Sequence, residues 1–365
     1  MAYDNFQPDY TNLLSAANNI AAKRLPLYEH SIWDGKMEEI TGKKFRHLNT
    51  ENYSDQLEYF RHFNDFFKQM GYDTVTYECG VCGVMPFGGL LSGHGDSVIN
   101  SYEDFLKYPW DEIPEIYYKA FSKSYEALRE TMPAGMKAVG GVGNGIFECV
   151  QEIIGYMNLC YIKNDDPELY AALFAKVGDM MYTIWEKFMR QYGDIFCVLR
   201  MGDDLGFKSN TLLSAEDIKT LVIPQYKRVI DLIHSYKKPF LFHSCGCIFD
   251  VMPELINEAG INAKHSNEDQ IANFDVWVEK YGDKIGNFGG IDTDAVCRLS
   301  PIEINEYIND VLHRCSLVGK NAHPSAKEGT RGGGLAFGTG NSVPEYVPAD
   351  NYIAMVEAVR KYRGE

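Results

Sequence analysis

The chain has no run of about eighteen apolar residues, so nothing in it reads as a membrane span. Its first residues, Met-Ala-Tyr-Asp-Asn-Phe, lack the basic stretch and apolar core of a secretory leader, and this predicts a cytoplasmic protein. No G-x-G-x-x-G follows a strand-like run, which counts against an open, doubly wound dinucleotide-binding sheet. There is no Ser-, Pro- or Gly-rich linker, and no internal repeat of roughly 20–50 residues. Positive charge is short: 35 Lys and Arg stand against 51 Asp and Glu, a net charge of -16. A nucleic-acid partner needs the opposite balance, and an anionic membrane surface is disfavoured for the same reason. The nine cysteines are an odd, scattered set rather than a disulfide framework, which predicts free thiols in a reducing compartment and room for a metal.

What is present is a large core. Apolar residues make up 45% of 365 residues and aromatics 13%, enough for one large domain or two ordinary ones. Helical patterning runs over 12–23, 53–70, 102–128 (interrupted by Pro109 and Pro114), 148–158, 167–192, 214–236, 250–258, 300–315 and 350–362. Short buried strands are expected at 74–77, 138–142, 195–199, 240–242, 261–263, 285–288 and 334–337. Seven or eight strands alternating with helices predict an α/β fold, a (β/α)8 TIM barrel, as a single domain: a helical extension over about 1–73, then the barrel over about 74–365. The Gly-rich stretch 321–334 reads as a surface excursion or a lid.

In such a fold the chemistry collects at the carboxyl ends of the strands. The candidates there are Glu78, Asn144, Glu148, Asp203, Asp204, His243, Cys245, His265, Glu268, Asp292 and Asn341. The strand 240–242 runs into His243-Ser-Cys245-Gly-Cys247. A one-residue spacing in an extended segment turns the imidazole and the thiol to one side, a pairing that suits zinc. The alternative is a satisfied core histidine beside an inert thiol. A further ligand is needed, with Glu148 first and Cys79 second; Cys247 would strain the loop. Cys79-Gly-Val-Cys82 is a C-x-x-C with no second close pair and no helix starting at it, open between chance and function. Asp203 and Asp204 are candidate acid and base, or cap backbone N–H groups. His265 is a candidate proton donor, or a histidine bonded to a neighbouring strand.

Three stretches carry a resemblance: Met201-Gly-Asp-Asp-Leu-Gly-Phe, Phe242-His-Ser-Cys-Gly, and Gly338-Thr-Gly-Asn-Ser-Val-Pro with Asn351-Tyr-Ile-Ala-Met-Val-Glu-Ala-Val. They resemble the uroporphyrinogen decarboxylase superfamily, and within it the corrinoid-dependent methyltransferases. The resemblance implies an eight-stranded barrel with its site at the strand carboxyl ends. It makes His243 and Cys245 zinc ligands, and it implies a corrinoid carried by a partner protein. Two departures matter. The decarboxylases hold propionates with an early arginine pair, where this chain has only Arg24. The thiol-methylating branch adds a cysteine near the last strand, where this chain has Thr339.

The expected activity is therefore a zinc-dependent methyltransferase moving a methyl group between a small molecule and a corrinoid protein, with methyl-ether O-demethylation as the candidate reaction. Zinc is held by His243, Cys245 and Glu148. Asp203, Asp204 or His265 assist the leaving group, and Glu78, Asn144 and Asn341 bind substrate. The abundance of aromatics suits a methoxylated aromatic. The alternatives are a uroporphyrinogen-type decarboxylase without metal, and a zinc- and ligand-binding module without turnover.

Overall fold

The computed structural model describes residues 6–318, 321 and 324–365. The leader expectation rests largely on residues 1–5, and residues 322 and 323 belong to the Gly-rich excursion; these lie outside the described residues. Seven strands form one parallel sheet in sequence order: β1 Val75–Gly80, β2 Ala138–Gly143, β3 Phe196–Gly202, β4 Phe240–His243, β5 Ala263–His265, β6 Gly286–Ile291 and β7 Leu335–Thr339. Helices connect successive strands, the arrangement that parallel neighbours require. No helix among the described residues is long and apolar enough to cross a membrane.

The sheet curls. Val139, Val198, Leu241, Ala263, Phe288 and Ala336, from six successive strands, meet in one small core, and Leu13, Ala16 and Ala17 of the helix Thr11–Ala17 pack into it. A larger core lies between the outer face of the strands and the helices. Alternation along each strand divides the two. On β4, Leu241 faces inward and Phe242 packs outward against Tyr226. On β5, Ala263 faces inward while the Lys264 ammonium lies over Trp277, 3.7 Å from the ring centroid.

Next to β7 runs an extended segment, residues 26–33. It makes parallel bridges to β7 and its continuation at Leu27–Phe337 and Ile32–Val343. It also meets β1, where Thr76 Oγ1 donates to the Glu29 carbonyl at 2.7 Å. This segment thus touches both edge strands. One glycine is required by the close approach of β1 and β2: Gly140 has φ 134, and a Cβ there would lie 2.0 Å from the Tyr77 carbonyl oxygen.

The helices 53–70 and 167–192 appear with the expected bounds. Others differ for local reasons. The pattern over 148–158 breaks at Gly155, φ 78, into Ile146–Ile154 and Tyr156–Asp165. The first helix ends at Ala17, with Asn19 at φ 55. Pro114 opens the helix Ile113–Thr131 rather than breaking it, since the first turn needs no N–H there. The described part of the Gly-rich excursion leads into the amino end of β7 and is tied to residues 19–21 by Gly332 N to Asn19 O and Ala21 N to Thr330 O. It is a surface excursion at the amino ends of the strands, not a lid over the carboxyl ends.

Candidate functional site

Register builds the centre of the site. In the β4–β5 pair His243 stands directly beside His265, and in the β6–β7 pair Ile291 stands beside Thr339. Both histidines therefore point inward at the carboxyl end, one layer above Leu241 and Ala263. His243 Nδ1 and His265 Nδ1 are 2.7 Å apart, and His265 Nε2 is 2.9 Å from the Thr339 carbonyl oxygen. A carbonyl only accepts, so His265 carries its proton on Nε2 and offers a lone pair at Nδ1. His243 must then donate from Nδ1. The remaining nitrogen, His243 Nε2, is left with a lone pair. It lies 3.6 Å from Cys245 Sγ and 3.7 Å from Asp204 Oδ1. Burial keeps both rings neutral: it holds His265 down at about 3 and His243 well below the usual histidine range.

Cys245 sits in the loop beyond β4, turned by Gly246 at φ 82. Its N–H donates to Asp204 Oδ1 at 2.9 Å, and Asn341 Nδ2 donates to its sulfur at 3.3 Å. Burial and the nearby Asp204 charge push the thiol up, so it is protonated as it stands. Asp204, His243 and Cys245 offer ligand atoms that lie within 4.8 Å of one another. Imidazole nitrogen, sulfur and carboxylate oxygen form a donor set suited to zinc. The hydrogen bond behind His243 is the outer support that metal-bound histidines commonly have. His30, His243 and His265 also lie within 4.8 Å of one another, but two of those rings already spend their facing nitrogens on each other.

Sequence reasoning missed His30. Its ring stacks on His243, with centroids 3.7 Å apart and planes 14° apart, and its buried Nδ1 has no hydrogen-bond partner. It lies on the irregular 26–33 segment, where no periodicity marks it. Arg200, 1% exposed, was missed as well. It bonds to Glu78 Oε2 at 2.6 Å, to Tyr28 OH at 3.0 Å and to the His30 carbonyl at 2.6 Å, which fixes the segment carrying His30. An arginine inside an otherwise apolar strand was the available signal.

The other expected site residues are spread around this centre. Asp203 is fully buried; it accepts from the N–H groups of Phe147 and Glu148, each at 2.8 Å, and from the Tyr226 hydroxyl. It holds the start of the helix Ile146–Ile154, and burial lifts it to about 6. Glu148 is held by Asn144 Nδ2 at 2.9 Å and driven well up by burial and by Asp203 and Asp204. No described cluster unites Glu148 with His243 and Cys245. Asn144 also accepts from the Cys82 N–H at 3.1 Å, clamping the loop after β1. Glu268 pairs with Lys208, and Asp292 caps the helix Thr293–Arg298. Cys82 faces Cys149 at 3.9 Å, while Cys79 Sγ lies 3.5 Å from Tyr77 OH, so the two ends of the C-x-x-C serve different neighbours. The Thr339 hydroxyl is turned to Glu29 and to the Asn341 carbonyl. In the tail it is Asn341, two residues on, that reaches the thiol.

Two cavities flank the centre. One of about 320 Å³ is lined by His30, Asp34, Tyr59, Phe63, Glu78 and Arg200 among others. One of about 660 Å³ lies over the ends of β5 to β7 and reaches Asn341.

A family model described as uroporphyrinogen decarboxylase (URO-D) matches residues 95–362. No curated protein matches the chain. Among solved structures, a methyltransferase from Methanosarcina mazei superposes with a TM-score of 0.67 at 14% identity, over 96% of this chain and 98% of that one. That likeness is one of fold. An endo-glycoceramidase II from Rhodococcus sp., in a complex with a cellobiose-like isofagomine, matches with a TM-score of 0.40 at 12% identity, over 93% of this chain and 79% of that one.

Proposed function

We infer the activity from one premise: this chain belongs to the uroporphyrinogen decarboxylase family. We propose that it is a methyltransferase of that family, folded as a closed (β/α)8 barrel in which the 26–33 segment takes the eighth place. It moves a methyl group between a small molecule and a corrinoid held by a partner protein. The observation that carries this reading is the relay from the Thr339 carbonyl through His265 to His243, which leaves a lone pair at Nε2 facing Cys245 and Asp204.

These residues fit zinc, with His243, Cys245 and Asp204 as the protein's ligands; Asp204 replaces Glu148 in that role because it shares the cluster. A zinc ion held there supplies Lewis acidity toward an ether oxygen or a thiol sulfur. The corrinoid supplies the methyl-carrying centre. In the demethylating direction the methyl C–O bond would break with its electron pair left on oxygen, a proton would be taken up there, and the partner's reduced corrinoid would be the methyl acceptor. The chain's own work is positioning. His265 fixes the tautomer of His243, His30 fixes its plane, and Asn341 orients the Cys245 sulfur. With Asp204 committed to the metal and Asp203 engaged with the N–H groups of Phe147 and Glu148 and with the Tyr226 hydroxyl, the proton is supplied by solvent. Glu78 and Asn144 act by holding Arg200 and the β1 loop, and Asn341 adjoins the substrate.

The test is metal analysis. Purified protein should hold about one zinc per chain, and His243→Ala and Cys245→Ala should each lose it while staying folded, because the core below does not depend on the metal. Full zinc retention in both variants would sink the assignment. Bound metal and ligand without turnover would leave the binding-module reading.

Decarboxylation is favoured by the description of the matching family. It is opposed by the arginines. Arg24 pairs with Asp73, just before the amino end of β1, far from the strand carboxyl ends. Arg200 is buried and spent on Glu78, Tyr28 and the His30 carbonyl. Neither is placed to clamp propionates.

A further inference from the structure

The helix Tyr156–Asp165 turns its apolar side outward. Of its ten residues only Leu159 is buried. Tyr156, Met157, Cys160 and Tyr161 recur at the i, i+1, i+4, i+5 spacing of one helical face. That face lies in solvent: Met157 is 63% and Tyr161 62% exposed. The loop after β1 extends the stripe. Its Leu90 N–H donates to the Glu152 carbonyl at 3.2 Å, and the Leu90 side chain lies over Gly155, just before the helix. On the same loop Leu91 is exposed, and Phe87, held at φ 61, is 80% exposed. A left-handed backbone is unfavourable for a bulky residue, and here it carries a phenyl ring that its own chain leaves uncovered.

Charge and area identify what covers this face. Residues 86–95 and 153–162 contain no Asp, Glu, Lys or Arg, in a chain that is 24% charged with a net charge of -16. A different protein meeting so acidic a molecule gains encounter rate and specificity from opposite charge. Two copies of one acidic chain repel, and they meet most readily where neither carries charge. An uncharged apolar stripe is also complementary to itself, as a two-fold contact requires. Phe87, Leu91, Tyr156, Met157 and Tyr161 together leave about 500 Å² in solvent, at the upper end of what monomers expose in one apolar patch. Two such faces in contact cover about 1,000 Å², and the exposed rim of Ser92, His94 and Asn158 brings this to the about 1,200–2,000 Å² of a specific interface.

We propose that this face is a two-fold contact between two copies of the chain, with the helices Tyr156–Asp165 crossing near the axis and the loops after β1 packing beside them. The Tyr156 hydroxyl donates to the Leu212 carbonyl at 2.8 Å, and the Leu212 N–H to the Leu205 carbonyl at 2.8 Å. The contact therefore also braces the loop that carries Asp204.

The experiment is sedimentation velocity on the full-length protein over about 1–100 µM, at low and at high salt. A monomer–dimer equilibrium is expected, with dimer dominant at the upper end. Met157→Lys and Tyr161→Lys should each raise the dissociation constant at least about tenfold. Circular dichroism and the melting temperature should not change, because both side chains already stand in solvent. Added salt should leave the dimer intact or strengthen it, since screening relieves the repulsion between acidic copies. Cys160, the one exposed cysteine of the nine, gives a positional check. Helices in contact lie about 8–10 Å apart, so bismaleimidohexane should join the Cys160 thiols of the two copies. Cys160→Ser and Met157→Lys should each lose that link. Monomer throughout the range would overturn the proposal and leave the face to a different protein. A dimer that salt dissociates, or that neither lysine variant weakens, would overturn it by placing the contact elsewhere. None of these readouts involves zinc, corrinoid or turnover, so they succeed or fail apart from the methyltransferase reading.

Discussion

At the scale of the residue, the site is a problem of proton placement. A histidine in water has no preferred tautomer strong enough to present one nitrogen reliably. Here a backbone carbonyl of β7 decides it at second hand, through His265, and burial keeps both rings uncharged. Removing the intermediary should therefore matter even though it touches no metal. His265→Ala should weaken zinc about 10–100-fold, by competition with a chelating dye, while circular dichroism stays native. Unchanged affinity would mean that the tautomer is set elsewhere. Glu29 gives a second residue-scale prediction. Burial lifts its carboxyl from 4.5 to about 7. Between those values the folded protein holds a proton that the unfolded chain has lost, so this group's stabilising contribution falls as the pH rises through the window. The loss is on the order of 3 kcal/mol at most. Glu29→Gln should flatten that part of the stability profile in urea titrations at about pH 5 and about pH 8. A profile parallel to the unmodified protein's would contradict the shift. The sequence made His243, Cys245 and Asn341 legible, because type and spacing mark them. It did not reveal that Asp204 stands closer to them than Glu148, since that depends on how the β3 loop folds over Cys245. His30 was hidden because its neighbour in space is far away in sequence.

At the scale of the element, the strands were legible but their ends were not. The apolar run of β3 stops at Leu199, yet the ladder continues through Arg200, Met201 and Gly202. Backbone pairing does not require apolar side chains, and in a curled sheet the carboxyl ends are where polar ones are used. Hence His243, His265 and Thr339 belong to the strands themselves and inherit their rigidity. The helix Thr11–Ala17 does comparable work at the other end. Leu13 is fully buried in the small inner core. Leu13→Ala should be destabilising by about 2–5 kcal/mol in denaturant unfolding. A change under about 1 kcal/mol would mean that the helix lies on the sheet rather than plugging it. Two connecting helices contain π-helical turns, Ile218–Val222 near the start of one and Leu255–Ala259 at the end of the other, which no periodicity at 3.6 residues distinguishes.

At the scale of the molecule, an acidic protein with a net charge of -16 carries its few mouth cations already paired. Arg200 and Lys208, paired with Glu78 and Glu268, are not free to hold a polycarboxylate substrate. Incubated anaerobically with uroporphyrinogen, the protein should release no CO2; stoichiometric release with coproporphyrinogen formed would place it with the decarboxylases. The site is proposed to transfer a methyl group to or from a corrinoid. The most direct measurement is the absorbance change of free cob(I)alamin mixed with the zinc-loaded protein and a panel of methyl donors that includes methoxylated aromatics and methylated small molecules. Conversion to the methyl-cob(III) spectrum is predicted with at least one donor, and its loss in His243→Ala and Cys245→Ala. No conversion with any donor, together with no consumption of methylcobalamin by any thiol, would contradict it.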